Sequence, residues 1–124
     1  IVKVLYIEDN TLNIKLMENI VKQMDNIMLY VSLQGSLGLE IAQNQLPDLI
    51  LIDLRLPDMS GVDVLKSIKA NPQLCDTTVI IISADASKSQ INDMYALGAS
   101  NYITKPIDVQ AFSDLLTKEV DKKL

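Results

Sequence analysis

Glu8-Asp9, Asp53, Ser83 and Lys105 are the side chains most able to do chemistry, and each follows an extended, mostly apolar run. Glu8-Asp9 follow Val2 to Ile7, and Asp53 follows Leu49 to Ile52. Ser83 follows Thr78 to Ile82, and Lys105 follows Asn101 to Thr104. If one sheet edge collects them, three carboxylates repel one another. At ~4 Å and an effective dielectric near 20, each like-charged pair costs roughly 4 kcal/mol before screening. Lys105 compensates part of that charge. A hard divalent cation that takes oxygen ligands and keeps some of its water, namely Mg2+, suits the rest. Carboxylates alone give no softer metal a preference. A carboxylate beside Mg2+ and an ammonium group can attack phosphorus and form an acyl phosphate. The metal and the ammonium group then stabilise charge on the phosphoryl oxygens, and a serine hydroxyl can donate to one of them.

Each residue also has a plainer reading. Asp53 could cap the loop that Pro57 and Gly61 form. Glu8 and Asp9 could cap a helix and favour its dipole. Ser83 could be an ordinary strand end and Lys105 a solvated lysine. What separates the readings is whether the fold gathers all five residues.

The elements between them say that it does. Leu49–Ile52 is wholly apolar and short, as in a parallel strand buried on both faces. Val2–Ile7, Ile27–Ser32, Thr78–Ile82 and Asn101–Thr104 read as four more strands. Between them lie helical patterns. Asn10 or Asp9 caps the first, with Leu12, Leu16, Ile20 and Met24 at helical spacing. The second spans Gly35–Gln45 and carries Leu37, Leu39 and Ile41. Ser60 caps the third, with Val62, Leu65 and Ile68 inward, and Asn71-Pro72 stops it. A fourth runs from about Ser87 to Leu97 and stops at Gly98. The last holds Val109, Phe112, Leu115, Leu116 and Val120. Five strands alternating with five helices predict an α/β, flavodoxin-like, doubly wound five-stranded parallel sheet. The order 2-1-3-4-5 is taken from that fold type, which places ligands at the carboxyl ends of the strands where the winding reverses. No repeat or linker divides the chain, so residues 1–124 are expected to form a single domain.

Composition excludes several classes. The net charge of −5 argues against nucleic acid or an anionic membrane as direct partner. No stretch is long enough for a transmembrane helix. Cys75 is the only cysteine, so no internal disulfide can form, and a reducing, cytoplasmic compartment is expected. There is no histidine, which removes His-based acid–base catalysis, His metal ligands and His phosphotransfer.

Taken together, these residues make the chain resemble the receiver domain of two-component response regulators. The likeness runs over the whole chain. It rests on Glu8-Asp9, Asp53, the loop Leu56-Pro57-Asp58-Met59-Ser60-Gly61, Ser83-Ala84, Tyr102 and Lys105-Pro106. The resemblance implies that Asp53 is the phosphoacceptor, assisted by Lys105 and Ser83. It implies Mg2+ held by Glu8, Asp9, Asp53 and the Arg55 backbone carbonyl. It implies Ser83 and Tyr102 as switch residues and a cis Lys105–Pro106 peptide. The implied partners are a phosphohistidine donor, either a histidine kinase or a phosphotransfer domain, and an output domain or protein. The output partner is expected on the face of the fourth helix, fifth strand and fifth helix, where Met94, Tyr95 and Leu97 lie. Glu8-Asp9-Asn10-Thr11-Leu12-Asn13, with Lys105-Pro106-Ile107, further resembles receivers joined to hybrid sensor histidine kinases.

Three rivals stand beside this. A Mg2+-dependent phosphatase with a nucleophilic Asp would need a second Asp two residues on, where this chain has Arg55. An FMN binder would need a hydroxyl- and glycine-rich phosphate loop after the first strand, where Glu8-Asp9 would repel a phosphate. A receiver-like docking module would need none of the five residues. Finally, Arg55 and Asp85 each follow a strand-end residue by two positions. They could pair across the mouth of the site or point into solvent.

Overall fold

The computed structural model describes residues 1–124. The elements in chain order are β1 (Val2–Ile7), α1 (Thr11–Lys22), β2 (Ile27–Ser32), α2 (Gly35–Gln45) and β3 (Leu49–Asp53). There follow α3 (Gly61–Ala70), β4 (Thr78–Ser83), α4 (Lys88–Ala96), β5 (Asn101–Thr104) and α5 (Val109–Asp121). All strand pairs are parallel and the sheet order is β2-β1-β3-β4-β5. Winding therefore reverses between β1 and β3, and the carboxyl ends of both strands flank that point.

Strand alternation divides the core into two layers. Val4 and Tyr6, Leu49 and Leu51, and Ile80 and Ile82 face α1 and α5, where they meet Met17, Ile20, Phe112, Leu116 and Val120. Leu5 and Ile7, Ile50 and Ile52, and Val79 and Ile81 face α2, α3 and α4, where they meet Ala42, Leu65, Ile68 and Met94. Each fully buried Leu or Ile contributes on the order of 1.5–3 kcal/mol relative to exposure. The central strand β3 is buried along its whole length, which explains its unbroken apolar run.

The expected caps are in place. Asn10 Oδ1 accepts from the Leu12 and Asn13 backbone N–H groups at 2.9 and 3.2 Å. Ser60 Oγ caps α3 through Val62 N. Ser87, expected as the start of the fourth helix, instead precedes it and caps α4 through Gln90 N. Gly98, at φ +108, turns the chain out of α4 in a conformation that suits glycine. Helix α2 has no cap of its own, since Gln34 offers no side-chain bond. Asp58 supplies it from the loop after β3, accepting from Gly35 N at 2.8 Å and Ser36 N at 2.9 Å.

Three apolar positions depart from the expected stripes. Leu12 is 74% exposed, Val109 50% and Leu37 45%. Each sits in the first turn of its helix. Met24 lies past the end of α1 but still packs on the core.

Candidate functional site

The same alternation decides which strand-end side chains meet. Glu8 lies two residues past Tyr6, Asp53 two past Leu51, and Lys105 two past Ile103. All three extend the α1/α5 layer. Ser83 is two past Ile81 and extends the opposite layer. The contacts follow this division. Lys105 Nζ donates to Asp53 Oδ2 at 2.8 Å and to Glu8 Oε1 at 3.2 Å. Asp53 Oδ1 accepts from the Arg55 backbone N–H at 3.0 Å, so both its oxygens are engaged. Ser83 Oγ makes no bond to the acids and instead accepts from Asp85 N at 3.1 Å.

Glu8 and Asp9 are adjacent, so they point in opposite senses. Glu8 is fully buried and Asp9 is exposed. Carboxylate oxygens of Glu8, Asp9 and Asp53 nevertheless lie within 4.8 Å of one another. Three donors converge on Glu8 Oε1: Asn13 Nδ2 at 2.6 Å, Lys105 Nζ, and the Tyr6 hydroxyl at 3.4 Å. Glu8 Oε2 is buried and has no partner.

Protonation follows this environment. Burial pushes the Glu8 carboxyl up to about 7, and the neighbouring Asp53 adds to the rise. Burial also raises Asp53. The coupling to Glu8, the Lys105 ammonium and the Arg55 N–H outweigh it and leave Asp53 below its ordinary value. Burial lowers Lys105, but its bond to Asp53 and the charge of Glu8 outweigh that and leave it raised. The Tyr6 hydroxyl is raised by burial first and then by the nearby Glu8 and Asp53 charges. The two neighbouring carboxyls are thus pushed apart, Glu8 upward and Asp53 downward.

The loop after Asp53 is fixed by close backbone approach. A Cβ on Gly61 would lie 2.4 Å from the Asp53 carbonyl oxygen and 2.6 Å from Leu54 Cα. Only glycine fits there without moving the backbone. The Arg55 carbonyl takes part in no hydrogen bond. Lys105–Pro106 is cis. Tyr102, partly buried, donates its hydroxyl to the Asp85 carbonyl at 2.6 Å. The peptide groups of Asp85 therefore tie Tyr102 to Ser83. Arg55 and Asp85 form no ion pair, which corrects pairing across the mouth as an expectation. The Asp85 carboxylate accepts from Ser87 N at 2.8 Å instead, as a local turn before α4.

Sequence reasoning missed Tyr6, and gave Asn13 and Asp58 no contact of their own. Tyr6 had a usable signal, since a residue two before Glu8 in a strand shares its face. Asp58 had only an indirect one, the lack of a capping residue at Gln34.

Comparison with known proteins agrees with this geometry. The response regulator receiver domain family matches residues 4–117, and the chain belongs to that family. It is 34% identical over 116 residues to the polar-differentiation response regulator DivK of Brucella ovis, covering 91% of each chain. A signal receiver domain from Vibrio parahaemolyticus superposes with a TM-score of 0.88 at 30% identity, over 97% of this chain and 90% of that one. The phosphorylated cyanobacterial phytochrome response regulator RcpA superposes with a TM-score of 0.79 at 26% identity, over 94% and 89%. The family is one of signalling domains rather than of typical enzymes. No helix is long and apolar enough to cross a membrane.

Proposed function

We propose that residues 1–124 act as one phosphoacceptor domain, taking a phosphoryl group from a phosphohistidine onto Asp53. The observation that carries this is Lys105 Nζ, held between Asp53 Oδ2 at 2.8 Å and Glu8 Oε1 at 3.2 Å. It keeps Asp53 ionised and places a cation where charge would develop on phosphoryl oxygens. An Asp53 carboxylate oxygen attacks phosphorus, and the bond from phosphorus to the donor's ring nitrogen breaks. That nitrogen keeps the electron pair, and the product on this chain is an acyl phosphate. With no histidine of its own, the chain must receive the group from another domain or protein. RcpA, at 26% identity, has been described in a phosphorylated state.

The donor set fits Mg2+. It consists of oxygens alone: the clustered carboxylates of Glu8, Asp9 and Asp53, with Glu8 Oε2 buried and unpartnered, and the Arg55 carbonyl, which takes part in no hydrogen bond. Glu8, Asp9, Asp53 and the Arg55 carbonyl would hold the ion. When bound, Mg2+ supplies positive charge between the carboxylates and the incoming phosphoryl oxygens.

The Asp85 linkage supports Ser83 and Tyr102 as the switch. If Ser83 Oγ turns to donate to a phosphoryl oxygen, it releases Asp85 N. The loop that also holds the Tyr102 hydroxyl is then free to rearrange. The face of α4, β5 and α5 would present that change to an output domain or partner. The Asn10–Asn13 pattern has a local account, since Asn10 caps α1 and Asn13 holds Glu8. It needs no hybrid kinase to explain it. The acidic balance suits neither nucleic acid nor an anionic membrane as direct partner, and the lone cysteine suits a cytoplasmic setting.

The test is labelling by a phosphohistidine donor, or by a small acyl phosphate with Mg2+. Wild type should gain an acid-labile, hydroxylamine-sensitive phosphate, and Asp53→Asn should gain none. Intact labelling of Asp53→Asn sinks the assignment. No labelling of wild type by either donor leaves the docking-module reading.

A further inference from the structure

We infer that Asn13, backed by Tyr6, is a positioning residue that fixes Glu8 with its second oxygen presented to a hard divalent cation. This rests on the metal-assisted reading above and extends it to residues outside the ligand set. Glu8 is fully buried, yet its hydrogen bonding is lopsided. Asn13 Nδ2 at 2.6 Å, Lys105 Nζ at 3.2 Å and the Tyr6 hydroxyl at 3.4 Å all meet Oε1, whereas Oε2 meets nothing. A buried carboxylate oxygen without a partner is costly unless something else occupies it. Ligating carboxylates are commonly held by such outer partners, which set the face they show to the metal.

The two neutral donors suit this role better than Lys105 does. Lys105 is shared with Asp53 and must also serve a phosphoryl group there. Asn13 Nδ2 and the Tyr6 hydroxyl touch no acid other than Glu8. They can hold Oε1 while Lys105 turns to its other partner. Tyr6 reaches Glu8 along the same face of β1, and Asn13 reaches it from the first turn of α1. Asn13 is itself pinned, because its backbone N–H donates to the Asn10 cap at 3.2 Å.

The experiment measures Mg2+ affinity of the full chain by calorimetry, with melting temperature recorded without and with Mg2+. Asn13→Leu keeps the side-chain size and removes the donor. It should weaken Mg2+ binding about tenfold or more, the usual effect of removing an outer-shell partner. Its melting temperature without Mg2+ should stay close to wild type, which separates positioning from a general structural role. Tyr6→Phe should show a smaller loss, matching its longer contact. Asn13→Gln keeps the amide and should recover part of the affinity. Should Asn13→Leu fail to fold, Asn13→Ala takes its place, with the same loss expected and binding within twofold of wild type overturning the role. If wild type binds Mg2+ and Asn13→Leu binds it within twofold, the positioning role is overturned. If wild type binds no Mg2+, it is the metal-assisted reading that fails.

Discussion

The two ends of the sheet handle charge in opposite ways. At the amino ends, polar groups are matched. Asp48 Oδ2 accepts from Lys3 N at 2.9 Å while Lys3 O accepts from Asp48 N at 2.8 Å, which extends the β1–β3 pairing past the start of β3. Buried Glu119 accepts from Lys122 Nζ and Asn101 Nδ2, and Lys69 Nζ closes the turn before β4 through two backbone carbonyls. At the carboxyl ends, three carboxylates cluster, one lysine pairs with two of them, and one buried oxygen has no partner. Local rules are satisfied at the first end and broken at the second. Departures confined to one edge, at the point where winding reverses, mark where stability has been given up for chemistry.

The largest effect should come from the backbone beneath the site. Gly61→Ala puts a methyl into the Asp53 carbonyl and Leu54, neither of which is a flexible side-chain end. Overpacking of this kind costs about 1–3 kcal/mol, a fall of roughly 5–15 °C in melting temperature for a domain this size. Because the strain falls on Asp53 itself, phosphoryl acceptance should fall with stability. Thermal melts and the labelling assay check both. A variant with wild-type values in each would break the picture of a tightly set loop.

A pair of substitutions should then move the two ends in opposite directions. Asp48→Ala leaves the Lys3 N–H without its charged acceptor and should cost about 1.5 kcal/mol. It should leave the labelling rate unchanged. Glu8→Gln replaces a buried carboxylate by a neutral group that can donate toward Asp53 from the unpartnered position. It should stabilise the metal-free protein by about 1 kcal/mol and reduce the Mg2+-induced rise in melting temperature. Crowding of the acids alone would put this gain on neutralising Asp53. The contacts place it on Glu8, because both Asp53 oxygens are already partnered. A destabilised Glu8→Gln, or a slower Asp48→Ala, would erase the contrast between the ends.

What could be read from the sequence follows from what is local. Strand bodies, strand-end residues and the caps at Asn10 and Ser60 depend on neighbours within a few positions, and all are where the pattern put them. The gathering of Glu8, Asp53 and Lys105 was legible because alternation carries all three to one face. The burial of Glu8 against the exposure of Asp9 was not, since adjacent acids look alike until the edge is built. Leu12, Leu37 and Val109 mislead because a helical stripe says nothing of where along the helix its packing begins. Asp58 as the cap of α2 joins residues 22 and 23 apart, so no local pattern announces it.

Asp58 gives the smallest and most specific test, because it ties the site's loop to a helix that lacks its own cap. Its carboxyl is held at about 2 by the Ser36 backbone N–H, then the Ser36 hydroxyl and the Gly35 N–H. The group is exposed, so salt will screen part of its attraction to the start of α2. The sign follows from linkage. The folded value lies below the ordinary unfolded value near 3.9, so the ionised form favours the folded state. That contribution is complete above about pH 4 and disappears as the pH falls toward about 2. Asp58→Asn keeps one acceptor oxygen but loses the charge and the second bond. Its melting temperature should therefore lie below wild type at neutral pH, and the two curves should converge between about pH 4 and pH 2. The other carboxyl groups titrate in both proteins and cancel in the difference. A gap that stays constant down to pH 2 would mean that Asp58 holds the loop by packing, and that its charge does not link the loop after β3 to α2.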